Sequence, residues 1–501
     1  MALADYFERD AQAVSQVVAG FDAEAFRARM SGLEVGLAFG PDVQASSEGC
    51  ALADLLVRLL ARFYPSLSIF GPSGAMSDDL ARLAQAINPA IEHPTRRPAV
   101  GVVIGLDAKP FRRSVFAGSN GWAGSANMRA PLAVGKSDHP FGPGIAACLC
   151  AGLLFRILVG NEPPSGETAS LSGSSRTLAK RRKESFDGQL VGAGAIGHAA
   201  AWTLARTPDE GRLDIIDPET IELSNVQRYV MATRADEGAT KAPFLASAFG
   251  GSLHAESFEG DWAAFVESHG FQQPLAMLAL DSAGDRRAAQ WGLPRRIINA
   301  WTQPGDLGVS AHSQFGGEGA CVDCLYVPDS RQPNEDEIYA AALGVPARLE
   351  EVRTLLHQGS PVGDSFLDAV AVGLDRPREL LASFAGAQIR ELYVRGICGG
   401  GILPLGSTGR VRAAVHVPLA HQSALAGVLL AARAVETHRT NEPAITEVTQ
   451  LDILRSIPPH PTHPRRPRLE CVCRDPDYVK AFRAKWSAAR PLERDDPARG
   501  R

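Results

Sequence analysis

The stretch from Gln189 to Lys241 gathers residue types suited to a phosphorylated ligand. Gln189-Leu-Val-Gly-Ala-Gly-Ala-Ile-Gly197 is an apolar run that opens into a GxGxxG pattern at Gly192, Gly194 and Gly197. Glycines in that pattern let backbone N–H groups approach a phosphate at a helix N-terminus. Asp217 follows Ile215-Ile216, where a carboxylate at a strand end accepts hydrogen bonds from ribose hydroxyls. Those features alone would describe any dinucleotide-binding enzyme. Asn225 and Arg228, in Ser224-Asn-Val-Gln-Arg, and Lys241, in Gly238-Ala-Thr-Lys, narrow the chemistry. A hydride-transfer cofactor needs no such group of cations and amides beyond its ribose carboxylate. A nucleoside triphosphate attacked by a carboxylate does, because its phosphates must be clamped and the charge on departing pyrophosphate spread.

These residues need a parallel sheet to present them, and the surrounding pattern supplies one. Gln189–Val191 and Leu213–Ile216 read as strands around an Ile196–Arg206 helix. Leu275–Asp281 is an apolar strand with a carboxylate at its C-terminal end, and Arg296–Trp301 reads as the next strand. Residues 334–393 read as helical, 402–417 as a strand pair and Ser423–Glu436 as a buried helix. Nearer the N-terminus, Leu33–Gly40, Leu67–Gly71 and Ala99–Gly105 read as strands and Gly49–Arg62 as a helix. This order echoes residues 189–217 without the glycine loop or the terminal Asp, so it reads as a degenerate copy of the same nucleotide fold. Between the halves, Asn161–Ser175 is rich in Ser, Gly and Pro, and a basic run follows at Lys180–Lys183, as in a solvated linker.

Composition sets outer limits. A chain of 501 residues is too long for one core. Its 45% hydrophobic and 21% charged content is that of an ordinary soluble globular protein. A formal net charge of −5 gives no reason to expect nucleic acid or a membrane surface as partner. The apolar run Ile145–Val159 is short for a membrane span and interrupted by Arg156. The first ten residues lack the basic and apolar regions of a signal peptide, so a cytoplasmic location is expected. The eight cysteines are then reduced, metal-bound or catalytic rather than disulfide-bonded.

From Gly192 to Lys241 the sequence resembles the adenylation domain of the ThiF/MoeB/ubiquitin-activating-enzyme superfamily, most of all a bacterial ubiquitination-like (Bil-type) activating enzyme. The resemblance extends more weakly to about residue 475. It rests on the glycine loop, Asp217-Pro-Glu219 (Glu where the family has a second Asp), Ser224-Asn-Val-Gln-Arg228 and Lys241. It implies that ATP binds through Gly192, Gly194, Gly197, Asp217, Glu219, Asn225, Arg228 and Lys241. It also implies a magnesium ion on an Asp after the next strand. The family spacing falls on Gly284, leaving Asp281 and Asp285 both as candidates. An arginine from the N-terminal half is expected at the triphosphate, with Arg112, Arg113 and Arg129 as candidates.

The same resemblance sorts the cysteines. Cys321-Val-Asp-Cys324 is similar to the family's CxxC pair, which with a second pair binds structural zinc; here that pair would be Cys471-Val-Cys473. Four thiolates suit tetrahedral zinc. Cys398 sits in Arg395-Gly-Ile-Cys-Gly-Gly-Gly401, where glycines offer no packing reason for a thiol. It is the candidate catalytic cysteine, a nucleophile able to form a thioester, with Arg395 or a helix N-terminus a candidate for lowering its pKa. Cys50, Cys148 and Cys150 read as core residues.

The fold class expected is therefore α/β: two Rossmann-like adenylation-type domains, the first degenerate and the second active, with a helical insertion. The implied divisions are an inactive domain at 1–160, a linker at 161–187, the ATP-binding part at 188–333, the insertion at 334–400, a return at 401–478 and a tail at 479–501. The implied function is ATP-dependent adenylation of the C-terminal glycine of a ubiquitin-like protein, thioester formation on Cys398 and transfer to a conjugating enzyme, as in antiviral defence. The alternative is adenylation of a sulfur-carrier protein in thiamin, molybdopterin or thiolation pathways.

Overall fold

The protein is described from a computed structural model, which covers residues 3–18, 20–160, 168–173, 185–303, 306–313, 315–326, 335–393, 396, 417–439, 445–458 and 460–487. Strands β1 (Glu34–Phe39), β2 (Ser66–Phe70), β3 (Val100–Ile104), β4 (Arg113–Asn120), β5 (Ala123–Asn127) and β6 (Thr168–Ser172) form one sheet in the order β2-β1-β3-β4-β5-β6. The first four run parallel, and β5 and β6 are antiparallel additions. Strand β3, Val-Gly-Val-Val-Ile, is apolar almost throughout because a parallel strand is covered on both faces.

The second sheet comprises β7 (Phe186–Val191), β8 (Gly211–Ile216), β9 (Leu253–Phe258), β10 (Ala276–Leu278), β11 (Ile297–Gln303), β12 (Asp306–His312), β13 (Thr446–Leu451) and β14 (Thr462–Arg465). Its order is β14-β13-β12-β11-β10-β7-β8-β9, parallel from β9 to β11 and antiparallel beyond. Strand for strand, β2-β1-β3-β4-β5-β6 repeats β8-β7-β10-β11-β12-β13 in order and direction. The helices repeat too. Ser47–Phe63 leaves β1 as Ala195–Leu204 leaves β7. Phe141–Leu158 lies between β5 and β6, and Ala420–Arg439 lies between β12 and β13. The architecture is thus two Rossmann-like sheets in one chain.

The two long helices pack on each other and, each in its own half, on the helix that follows the first strand. Gly427 makes the approach possible: a Cβ there would lie 2.3 Å from the Ile196 carbonyl oxygen. Phe141–Leu158 is long and apolar enough to cross a membrane, but 94% of it is buried inside the protein. Core packing accounts for its composition.

Three expectations are corrected here. The stretch read as a linker contains β6, whose Ala169 and Leu171 point inward and whose backbone pairs with β5; its last two residues begin β7. The stretch read as a tail contains most of a helix, Pro476–Ser487. That helix docks through Trp486 Nε1, which donates to the Leu293 carbonyl at 3.1 Å, and through Phe482 against Phe315. The strand read as Leu275–Asp281 is only Ala276–Leu278. Residues 335–393 are helical as expected and close around their own core, including Leu343, Val352, Phe366, Leu367 and Leu381. The expected strand pair falls almost wholly outside the described residues, as do Arg395 and Cys398.

Candidate adenylation site

The site is assembled at the C-terminal edge of the second sheet. Gly192 leaves β7 at φ +97°, and a Cβ there would lie 2.8 Å from the Ala279 carbonyl oxygen at the end of β10. Both facts require glycine. Gly197 sits one turn into the helix, where a Cβ would meet the Gly192 carbonyl oxygen at 2.2 Å. At Gly194 the nearest such atom is the Tyr229 hydroxyl at 3.8 Å, which leaves room for a ligand beside the helix N-terminus.

Asp217 directly follows β8 and is buried. Its carboxylate accepts from the N–H of Ala193 at 2.7 Å and of Glu219 at 2.9 Å. Burial raises its pKa, and those two bonds and Lys241 oppose the rise. Lys241 is tied to the same turn twice: its N–H donates to the Glu219 carbonyl at 2.9 Å, and its ammonium lies 2.5 Å from the Glu219 carboxylate. Burial works against the Lys241 charge, but Tyr229, Glu219 and Asp217 outweigh it and the pKa is raised. Lys241 is therefore a buried cation facing an exposed carboxylate, with Asp217 close by.

Asn225 and Arg228 belong to a short helix and the turn that follows it. The Asn225 side chain accepts from the Glu222 N–H at 3.1 Å, and Glu222 caps the helix in return. The Arg228 guanidinium donates to the Ser224 carbonyl at a long 3.4 Å. Burial lowers its pKa, with Tyr229, Glu222 and Asp281 acting in the other direction. A half-buried cation so weakly held suits an incoming anion. Between these cations lies His198, fully buried against Tyr229 and Phe244. Burial and the surrounding cations hold its pKa well below the usual range.

The two carboxylates after β10 divide by environment. Asp285 is engaged in capping its own helix: Ser282 Oγ donates to it at 2.6 Å and accepts from its N–H at 2.9 Å. Asp281 is exposed at the sheet edge, with Arg228 and Arg286 in electrostatic reach. It borders a cleft of about 480 Å³ lined also by Trp301, Asp306, Tyr326 and Arg465. Asp281 is thus the better fitted of the two to a magnesium ion.

Arg112, Arg113 and Arg129 are exposed. Two other arginines of the N-terminal half contact the segment that carries Arg228. Arg58 and Arg62, on the Ser47–Phe63 helix, donate to backbone carbonyls of the 226–232 segment.

The second cysteine pair folds back on the first. Cys321, Cys324, Cys471 and Cys473 are all buried, with their Sγ atoms within 4.8 Å of one another. Three of the separations are 3.8, 3.5 and 3.6 Å. Four sulfurs about 2.3 Å from a zinc ion would lie about 3.8 Å apart. The shorter CxC spacing is accommodated because Val472–Arg474 turns as a short 3-10 helix. The cluster also receives N–H donors from Gln290 and Arg468, each 3.4 Å from a sulfur. The four residues fit structural zinc and could hold it.

The fold and site define a nucleotide-binding α/β protein of the adenylating class. Residues 176–252 match the ThiF family, and residues 38–160 match Prokaryotic E2 family C. Over 520 residues, the chain is 37% identical to y4jF of Sinorhizobium fredii, covering 98% of this chain and 99% of that protein. The bacterial E1-like protein BilD of a Collimonas species is 28% identical over 201 residues, 34% of this chain and 42% of BilD. A crystal structure of E. coli MccB with MccA-N7isoASN aligns at 10% identity and a TM-score of 0.35, over 58% of this chain and 67% of that one. The chain belongs to the ThiF/E1-like superfamily.

Proposed function

We propose that the protein activates the C-terminal glycine of a ubiquitin-like protein by adenylation and then carries the acyl group as a thioester. The observation that carries this reading is the meeting of Asp217, Arg228 and Lys241 around the Gly192–Gly197 loop at one sheet edge. Asp217 accepts the ribose hydroxyls while the loop N–H groups face the phosphates. Arg228 and Lys241 take the charge of the triphosphate, Lys241 exchanging Glu219 for phosphate oxygen. Asp281 holds magnesium, which neutralises phosphate charge when bound. The carrier's carboxylate enters by the Asp281 cleft, one of its oxygens bonds to the α-phosphorus, and pyrophosphate leaves with the bonding electrons. Cys398 Sγ then attacks the acyl carbon, its proton passes to solvent, and AMP departs as the thioester forms.

The residues 38–160 match to Prokaryotic E2 family C favours a second reading, in which the N-terminal half itself receives the acyl group. Cys50 is its exposed cysteine, since Cys148 and Cys150 are fully buried. Burial raises the Cys50 pKa, which counts against a nucleophilic role. The strand-for-strand repeat supports the inactive-adenylation reading of this half instead.

One assay separates these readings. The purified chain is incubated with ATP, magnesium and a ubiquitin-like protein ending in Gly, and run on a non-reducing gel with pyrophosphate release followed in parallel. A thiol-sensitive adduct lost in Cys398→Ala with pyrophosphate release retained establishes the first reading. An adduct lost only in Cys50→Ala establishes the second. Pyrophosphate release without any adduct points to the sulfur-carrier alternative, and no release with several carriers rejects adenylation of such proteins.

A further inference from the structure

The Ser47–Phe63 helix belongs to the first sheet, yet one polar stripe on it serves the second. Asp54, Arg58 and Arg62 recur at four-residue spacing, which places them in line on one helix face. Asp54 accepts from the Trp202 indole N–H at 2.7 Å and so engages the helix that starts at the glycine loop. Arg58 Nη1 donates to the Val230 carbonyl at 3.0 Å. Arg62 is 1% exposed. Its Nε donates to the Val226 carbonyl at 2.9 Å, and its Nη2 donates to the Tyr229 carbonyl at 2.6 Å and to the Ala232 carbonyl.

Those acceptors bracket Arg228. The segment turns through backbone bonds from the Arg228 and Tyr229 N–H groups to the Asn225 carbonyl, and from the Ala232 N–H to the Tyr229 carbonyl. Val226, Tyr229 and Ala232 have their carbonyls drawn to one guanidinium. A planar fork of five N–H donors holds several acceptors in fixed relative directions, which an ammonium cannot do. Asp54, on the same helix, holds Trp202 in the helix that starts at the glycine loop, so one element contacts both the 226–232 segment and the helix that follows the loop.

We propose that Arg62 is a positioning residue for the phosphate clamp: it sets the backbone that aims Asn225 and Arg228 at the triphosphate, without touching the nucleotide itself. The inference rests on the adenylation reading and assigns the N-terminal half a specific task within it. It separates two parts of one ligand. Adenosine meets the glycine loop and Asp217, which Arg62 does not contact, whereas the triphosphate meets the segment that Arg62 holds.

The test is calorimetric titration of the full-length wild type, Arg62→Lys, Arg62→Met and Arg58→Ala with magnesium ATP and, separately, with adenosine, alongside thermal melts. For Arg62→Met, ATP affinity falls by about tenfold or more while adenosine affinity stays within about twofold, the scale expected when a clamp is misplaced rather than removed. Arg62→Lys falls between wild type and Arg62→Met. Unchanged ATP affinity, or equal losses for ATP and adenosine in a folded variant, overturns the proposal. If Arg62→Met does not fold, Arg58→Ala carries the test, since it removes one bond to the same segment along with the ion pair to Asp54. Weaker ATP with unchanged adenosine supports the role, and two unchanged affinities overturn it. A wild-type chain that binds adenosine but not ATP instead overturns the adenylation reading on which the proposal rests.

Discussion

Asp54 and Trp202 face each other across the boundary between the two sheets, with the indole N–H donating to the carboxylate at 2.7 Å. Arg58 Nε at 2.9 Å and Arg206 Nη2 at 3.3 Å share the same oxygen. Burial would raise the Asp54 pKa, but the two arginines and the indole outweigh it and hold the carboxyl below its ordinary value. One acid thus anchors two helices from different halves.

Removal of that acid is expected to cost stability. Asp54→Ala leaves a buried indole N–H and two arginines without their acceptor, and should lower the unfolding free energy by about 2–3 kcal/mol, partial solvent access keeping it below the figure for a fully buried pair. Because the folded pKa is depressed, this stability is fully present above the ordinary carboxylate range and is lost as pH falls through the folded value. Urea midpoints of wild type and Asp54→Asn should differ at neutral pH and converge in strong acid. A constant difference down the whole pH range would contradict the assignment.

Gly192 makes a sharper demand. With φ at +97° and the Ala279 carbonyl 2.8 Å from a would-be Cβ, Gly192→Ala must shift the loop. ATP binding should fall below detection, with stability reduced by about 1–3 kcal/mol. Gly194→Ala, where the nearest atom is 3.8 Å away, should keep wild-type stability, and titration with ATP then reports steric exclusion alone.

Asp281 and Asp285 should separate cleanly. Asp281→Asn should slow pyrophosphate release by about 100-fold and raise the magnesium requirement, as loss of charge stabilisation at a phosphoryl centre does. Asp285→Asn should retain activity and lose only about 0.5–1 kcal/mol of stability through its weakened cap. Magnesium titrations of both variants provide the check, and reversed phenotypes would reassign the ion.

The cysteine cluster should hold one zinc ion per chain by elemental analysis. Cys324→Ser and Cys473→Ser should each lose it, and strong chelators should lower the melting temperature of the wild type but not of these variants. A wild-type protein purified without zinc under reducing conditions, and stable in chelator, would mean that the four thiols are packing residues.

The meeting of the glycine loop with Asp217, Arg228 and Lys241 was legible because the pattern is local: these residues lie within one short stretch and carry their spacing openly. The Asp54–Arg58–Arg62 stripe was visible as polar positions on an apolar helix, but its partners lie more than a hundred residues away, and no local pattern names them. Arg112, Arg113 and Arg129 were chosen by type alone. Strand β6 was hidden by composition, since Thr-Ala-Ser-Leu-Ser alternates correctly with small polar residues that also suit a linker. The last helix was missed because Val479, Phe482 and Trp486 are spaced helically but sparsely, and none is fully buried.

The repeated sheets have a consequence for how the enzyme responds to concentration. Where such a pair is formed by separate chains, dilution takes the partners apart and activity per molecule declines. Here the second half meets its counterpart at an effective concentration fixed by covalent connection. Arg62 therefore engages the 226–232 segment within one chain, and that contact should not weaken on dilution.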